Sequence, residues 1–362
     1  MSIHPLAEPE YEFDAIEDGA ELSVGDATVR VLHTPGHRPE HCALLVASRL
    51  LTGDSLFVGD AARPDLAVGA AEGAEGLFHS LRRLADLPDD VEVFPGHVAG
   101  SLCGARLSPD HSSTIGRERY QNRALRIPEL DDFVADALSK SQPRPPNMDR
   151  IVALNRGPFL GRTPAFERLD SPGEAVVLDV RSTDEFARGH LPGAFNVPLD
   201  GTSFATRSGF VLGDGPIVVQ AASKAQADEA ARGLRAVGIL ELAGYVVEPP
   251  GMDATLAPIE LEELHELLER GAVEVLDMRE TDERDAGYIA GSRHIPYRLL
   301  PALSDGLGER PVVTICTTGA RAGIAASVLA ARGIEARPVL DGGVPDWESR
   351  GGRTIEFRRC GS

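Results

Sequence analysis

Two places in this 362-residue chain combine residue types and spacings that can do chemistry: a histidine group near the start and a cysteine loop near the end. In VLHTPGHRPEHC (31–42), His33, His37 and His41 recur at intervals of four. Residues four apart share a helix face, but Pro35, Gly36 and Pro39 stand between these three and forbid a regular helix. The stretch reads instead as a strand, ATVRVLHT, then a Pro-Gly loop, then a second strand from His41 to Ala47. One histidine on that loop can reach a metal; three at once are not expected.

The cysteine is Cys316. Pro311 to Ile315 (PVVTI) is a buried-strand run and RAGIAASVLAAR (321–332) is a good helix former. Between them lie Cys316, Thr317, Thr318, Gly319, Ala320 and Arg321. A loop joining the carboxyl end of a strand to the amino end of a helix offers unpaired N–H groups and the positive end of the helix dipole. That setting favours a nucleophilic thiolate. Gly319 allows the tight turn, and Arg321 adds fixed positive charge. The plainer alternative is a cysteine packed in the core at a strand end; the loop and the arginine favour the catalytic reading.

The elements that must position these residues fall into three blocks, separated by SQPRPPNMDR (141–150) and VVEPPGMDATLAP (246–258). The expected domains are 1–150, 156–248 and 256–355. The second and third are repeats: LDVRSTDEFARGHLPGAFNVP (178–198) and LDMRETDERDAGYIAGSRHIP (276–296) coincide at nine of 21 positions. Each runs as strand, loop, amphipathic segment, strand, loop and Ala-rich helix, which predicts an open parallel α/β sheet. In this alignment Ala221 stands where Cys316 is, Lys224 where Gly319 is and Gln226 where Arg321 is. The second block therefore has the fold without the chemistry, and Ser223 lacks an evident base to become a substitute nucleophile.

Bulk composition narrows the classes further. The chain is 42% hydrophobic and 25% charged, as a soluble globular protein is. A net charge of −20 with no basic run disfavours nucleic acid and anionic membranes as partners. No apolar stretch approaches a membrane span, and the first residues resemble no secretory signal. Cys42, Cys103, Cys316 and Cys360 lie far apart, which reads as thiols in a reducing cytoplasm.

LDxRxxxExxxGxIxG, Cys-x-x-Gly-x-Arg and the late Gly342, Gly343 and Trp347 resemble a rhodanese domain over roughly 258–352. The resemblance implies a sulfurtransferase in which Cys316 carries sulfane sulfur as a persulfide. Thr317, Thr318, Gly319, Ala320 and Arg321 would form the cradle. Four residues between Cys316 and Arg321 suit one sulfur atom, where cysteine phosphatases use five around a phosphate. Asp277 and Arg279 are expected to form a structural ion pair. The second block resembles a catalytically silent copy, kept for packing, linking or partner binding.

In the first block, TPGH (34–37), LLTGDSLF (50–57) and VEVFPGH (91–97) set His37, Asp54 and His97 at strand ends. Their order resembles part of the metallo-β-lactamase αββα sandwich. GDAARPDL (59–66), FPGHVAGSLCG (94–104), the Asn-Arg-Ala-Leu run (122–125) and the tail around Pro143, Pro145, Pro146 and Asn147 resemble persulfide dioxygenases fused to rhodanese domains. That resemblance implies Fe(II) held by His37 and Asp54, with zinc instead for a hydrolase. His97 would stand in the second shell or bind a second metal, and Arg63 and Cys103 would face the substrate pocket. An upstream His-x-His-x-Asp-His motif should supply the remaining ligand, and neither His4 nor His33 belongs to one. The expectation is a reading frame that starts late, with loss of the metal chemistry and completion by another chain as alternatives. Implied substrates are small thiols, thiol persulfides, thiosulfate and sulfite. A homodimer is compatible with the family. Competing functions are a glyoxalase II-like thioesterase and a non-catalytic sulfur carrier.

Overall fold

A computed structural model describes residues 1–65, 68–98, 108–139, 144, 146–157, 164–201, 203–303, 306–307 and 309–356. The chain divides into two compact units, one of residues 1–144 and 148–161, the other of 145–147 and 162–362. The fold class is α/β, as the alternation of strand and helix patterns predicts.

The first unit is built on one six-stranded sheet. Its strands, in spatial and chain order, are β1 (Glu21–Val24), β2 (Ala27–His33), β3 (Cys42–Val46), β4 (Arg49–Gly53), β5 (Glu92–Pro95) and β6 (Ser113–Thr114). β4 and β5 pair in parallel while their neighbours pair antiparallel. A parallel pair needs a crossover, and helix α1 (Ala70–Ala85) supplies it. Ala74, Leu77, Leu81 and Leu84 recur at three and four residues and bury one face of α1. Because β2 and β4 both run antiparallel to β3, they point the same way, and β5 is parallel to β4. The segments that follow β2, β4 and β5 therefore leave one edge of the sheet, carrying His37, Asp54 and His97.

A buried polar knot anchors the turn after β4. Glu118, from helix α2 (Ile115–Gln121), accepts from the Ser113 hydroxyl, the Gly59 N–H and the Asn122 amide. The Asn122 amide also donates to the carbonyls of Phe57 and Asp60. The Asn-Arg-Ala-Leu run therefore has a structural role, since its first residue holds the 57–60 turn.

The second unit contains two four-stranded parallel sheets of one design. The first has the order β8-β7-β9-β10, with β7 Val176–Asp179, β8 Phe195–Asn196, β9 Ile217–Gln220 and β10 Leu242–Val246. After α3 (Leu130–Ser139) and α4 (Met148–Arg156) of the first unit, helices α5 (Thr183–Arg188), α6 (Phe204–Val211) and α7 (Lys224–Ala236) alternate with these strands. The second sheet has the order β12-β11-β13-β14, with β11 Glu274–Asp277, β12 Arg293–His294, β13 Val312–Ile315 and β14 Ala336–Pro338. Its helices are α8 (Leu261–Glu269), α9 (Thr281–Asp285), α10 (Leu300–Leu303), α11 (Ala320–Ala331) and α12 (Val344–Ser349).

The repeated LDxR…G motif does the same work in both halves. Asp179 and Asp277 end their central strands fully buried, and each is clamped by the arginine two residues on. Those arginines also reach the carbonyls of Gly189 (2.9 Å) and Gly287 (2.6 Å), tying the following helix back to the sheet. Burial raises the pKa of Asp179 even against its Arg181 partner.

The halves share one hydrophobic core. Helix α11, buried from Ala322 through Leu329, packs against α5 and β8 of the first half. Thr183 Cγ2 would lie 2.6 Å from any Cβ placed on Gly323, and the backbone N–H of Asn196 donates to Ser327 Oγ at 2.9 Å.

Candidate functional site

Cys316 follows β13, and its residue is wholly inaccessible to solvent. The four buried residues of VVTI make the strand, and Gly319, at φ +85°, caps α11. A Cβ at Gly319 would lie 2.1 Å from the Leu340 carbonyl oxygen, so the position needs glycine for both dihedral and space. Among the described residues, none accepts a hydrogen bond from the backbone N–H groups of Thr317, Thr318, Gly319, Ala320 or Arg321. These are the orphan donors of a helix start, gathered behind a cysteine and ready for an anionic atom.

The late Gly-Gly…Trp motif has a reason at this loop. A Cβ on Gly343 would meet the carbonyl oxygens of Cys316 and Thr317 at 2.3 Å each, and Val344 N–H donates to the Cys316 carbonyl at 2.9 Å. Trp347, nearly buried, follows on α12. The chain after β14 thus presses directly on the loop from the side its glycines leave open.

Arg321 is not the free positive charge the loop sequence predicts. Its guanidinium grips Glu283 with both terminal nitrogens, Nη1 to Oε2 at 2.5 Å and Nη2 to Oε1 at 2.6 Å. Thr317 Oγ1 donates to the same carboxylate at 2.7 Å. Burial would raise the Glu283 pKa, but the Arg321 and Thr317 partners outweigh it and hold the group down at about 2. Burial would lower the pKa of Arg321, and Glu283 outweighs that too and raises it. The sequence does not single out Glu283 as a site residue, because its partner lies far along the chain. Its coincidence with Glu185 in the repeat is the one signal available.

The corresponding turn of the first half is partly satisfied from within. Ser223, in extended conformation, caps α7 by accepting from Gln226 N–H at 3.2 Å. The Gln226 side chain in turn accepts from Ala222 N–H at 2.8 Å and donates to the Val180 carbonyl. α7 starts at Lys224, the position matching Gly319, so the helix begins one residue earlier than in the second half.

In the first unit the three spaced histidines do three different things. His33 stacks on His4 at 4.1 Å and hydrogen-bonds the Pro39 carbonyl through Nε2 at 2.7 Å. His41 is spent on structure: its Nε2 accepts from Asp54 N–H at 3.0 Å, and its Nδ1 meets Thr34 Oγ1 at 2.8 Å. Burial lowers its pKa. His37, nearly buried, joins Nδ1 to the Arg63 carbonyl at 3.0 Å and turns Nε2 toward Asp54 Oδ2 at 3.5 Å. Burial is also the main cause of its lowered pKa. His97 Nε2 lies 3.3 Å from the other Asp54 oxygen. Arg63 gives the cluster its carbonyl, and its guanidinium pairs with Asp65 at 2.6 Å. His37 also lines a groove of about 330 Å³ with Tyr11, Arg38, Met148 and Arg156. Cys103 lies outside the described residues.

The tautomer of His37 suits a metal ligand, since Nδ1 is occupied and Nε2 faces a carboxylate. The donor set nevertheless falls short. Both histidines converge on one carboxylate, His41 is engaged elsewhere, and among the described residues no group of three His, Cys, Asp or Glu side chains is arranged to hold an ion. A resident metal does not fit these residues as they stand.

Comparison with known proteins places both kinds of domain in the chain. The family model for rhodanese-like domains matches residues 165–247 and 260–350, and that for the metallo-beta-lactamase superfamily matches residues 4–97. The latter fold implies a metal cofactor, iron or zinc. An uncharacterized protein of Aquifex aeolicus is 38% identical over 121 residues, 33% of this chain and 49% of that one. A hydroxyacylglutathione hydrolase of Tolumonas auensis is 46% identical over 96 residues, 25% of this chain and 35% of that one. The crystal structure of a metallo-beta-lactamase from Staphylococcus aureus superposes with TM-score 0.61 and 28% identity, over 67% of this chain and 75% of that one. The chain spans half or less of the length of these curated relatives. It carries a metallo-β-lactamase-type domain followed by two rhodanese-like domains.

Proposed function

We propose that this chain is a sulfurtransferase working through a persulfide on Cys316, joined to a metallo-β-lactamase-type domain that acts on related sulfur compounds. The observation that carries the reading is the row of five unpaired N–H groups, from Thr317 to Arg321, behind a cysteine at a strand end. In the transfer, the Cys316 thiolate attacks the outer sulfur of a donor. A new S–S bond forms, and the donor's own S–S bond breaks with its electron pair on the leaving thiolate or sulfite. The terminal sulfur left on Cys316 is anionic, and the N–H groups and helix dipole stabilise it there. An acceptor thiolate then attacks that sulfur and returns Cys316. Burial of the cysteine keeps water from the persulfide.

For the first domain the finer reading, drawn from its GDAARPDL and FPGH motifs, is oxidation of a thiol persulfide at Fe(II) by O₂. The family resemblance assigns His37 and Asp54 as two of the ligands, and the described residues do not complete the set. Fusion favours this pairing, since one domain's product serves the other at raised effective concentration. Thioester hydrolysis is the second reading, supported by the hydroxyacylglutathione hydrolases among the relatives.

Intact-mass measurement after exposure to thiosulfate or a thiol persulfide tests the first claim. The chain is expected to gain the mass of one sulfur, to lose it to an added thiol with turnover, and to gain none as Cys316→Ala. Loading without turnover would make the protein a carrier. Oxygen uptake after anaerobic Fe(II) loading tests the second claim, with His37→Ala and Asp54→Ala as controls.

A further inference from the structure

The cysteine loop is cationic in sequence and neutral in structure. Arg321, its one charged residue, is matched by Glu283 in a two-pronged pair, and Thr317 adds a third bond to the same carboxylate. A second such pair stands beside the first. The turn Tyr297–Leu299 packs against α11, and its Arg298 grips both oxygens of Glu280 at 2.7–3.0 Å. The two pairs are linked, because Glu280 N–H donates to Glu283 Oε2 at 3.0 Å. What remains open is the row of backbone N–H groups, together with the buried Nη1 of Arg298, whose charge Glu280 already balances.

We infer that Glu283 determines donor specificity: by holding Arg321 in a neutral pair, it sets the Cys316 loop to take sulfur from a thiol persulfide rather than from the thiosulfate dianion. This rests on the reading of Cys316 as the sulfur carrier. The two donors load the cysteine by the same electron count, with no oxidant. From a persulfide R–S–S⁻, the thiolate forms the new S–S bond and RS⁻ leaves, taking up a proton. From thiosulfate the same bond forms and sulfite leaves with both its charges. The difference lies in the charge that must be accommodated beside the loop. The sulfonate oxygens of thiosulfate call for free cationic donors, and they meet instead a carboxylate that is already spending the loop's arginine. Like charges set side by side discriminate strongly.

Position supports a dedicated role. In the first half, Glu185 occupies the matching place and only closes a capping box with Ser182. Glu283 keeps the corresponding bond to Glu280 N–H and adds the clamp on Arg321, in the half that has the cysteine.

The test is single-turnover sulfur loading of Cys316 at subsaturating donor, read by intact mass, with thiosulfate and with cysteine persulfide. The wild type is expected to load from the persulfide about 10-fold or more faster. Glu283→Gln keeps the shape and frees Arg321, and it should narrow that ratio about 10-fold, chiefly through a lower KM for thiosulfate. Glu283→Asp keeps the charge and should keep the ratio, which separates specificity from damage to the fold. A wild type that prefers thiosulfate, or a ratio unmoved in Glu283→Gln, overturns the inference while leaving Cys316 as carrier. If neither donor adds sulfur to any variant, the carrier reading itself fails, and the inference with it.

Discussion

The two rhodanese-like halves use nearly the same sheet, the same buried Asp–Arg pair and the same return of the arginine onto a glycine carbonyl, yet their strand-to-helix turns differ. In the first half Ser223 and Gln226 satisfy the turn from within, taking up Gln226 N–H and Ala222 N–H. In the second half Gly319 delays the helix by one residue, and five N–H groups stay open behind Cys316. The first half therefore differs from the second by more than a thiol. Helix capping takes two of the five N–H groups there, and the Cys316 loop forgoes that stabilisation.

The strongest way to break the comparison is Gly319→Ala. It demands a left-handed residue with a side chain and drives its Cβ against Leu340, so it should cost about 1–3 kcal/mol of stability and about 100-fold in sulfur loading. Lys224, its counterpart, sits in a regular helix, and Lys224→Ala should do neither. Stopped-flow loading and urea melts read both.

Next comes the bond between the halves. Ser327→Ala leaves the buried N–H of Asn196 without its partner and should cost about 1–3 kcal/mol. The melt should stay a single transition for the second unit, since both halves share a core. Two separate transitions would show that the halves are energetically independent.

Acid sharpens the contrast between Glu283 and Glu185. An unfolded glutamate titrates near about 4.3, while Glu283 in the folded protein is held at about 2. A folded value below the unfolded one means its contribution is complete above the unfolded pKa and is lost as pH falls toward about 2. Glu283→Gln should flatten that segment of the stability–pH curve. Glu185, lowered chiefly by its Ser182 hydrogen bond, should show the same sign with smaller amplitude.

The smallest expected effect is none. Ala221→Cys alone should load no sulfur, because the N–H groups of Ala222 and Gln226 at the two ends of its turn are already taken. Adding Ser223→Thr, Lys224→Gly and Gln226→Arg should be needed before any loading appears. Loading by the single variant would show that the thiol, and not the open backbone, was the missing part.

Much of this was legible in the sequence. Apolar runs ending in Pro-Gly or Gly-Asp mark β2 and β4, and the repeat of LDxR…G announces two copies of one sheet. The cysteine loop declares itself because strand, loop and helix are contiguous in the chain. What was not legible depends on contacts between distant residues. Nothing in the spacing tells Glu283 apart from Glu185, and only the folded loop brings Arg321 to it. His37, His41 and His33 are equivalent by interval; the register of β2 against β3 decides which one sits beside Asp54 and which one holds Asp54 by its backbone. The role of Asn122 as a knot under the 57–60 turn was hidden for the same reason.

The burial of α11 against α5 and β8 carries a consequence for inheritance. A duplicated domain without a reaction of its own would ordinarily be free to erode or be deleted. Here β8 and α5 of the first copy are part of the wall against which the second copy's longest helix rests, and that helix begins at the cysteine loop. Drift is open to the turn around Ala221 but closed to the ground beneath Thr183 and Asn196. A cut placed to discard the copy without the cysteine would remove one side of the other copy's own interior.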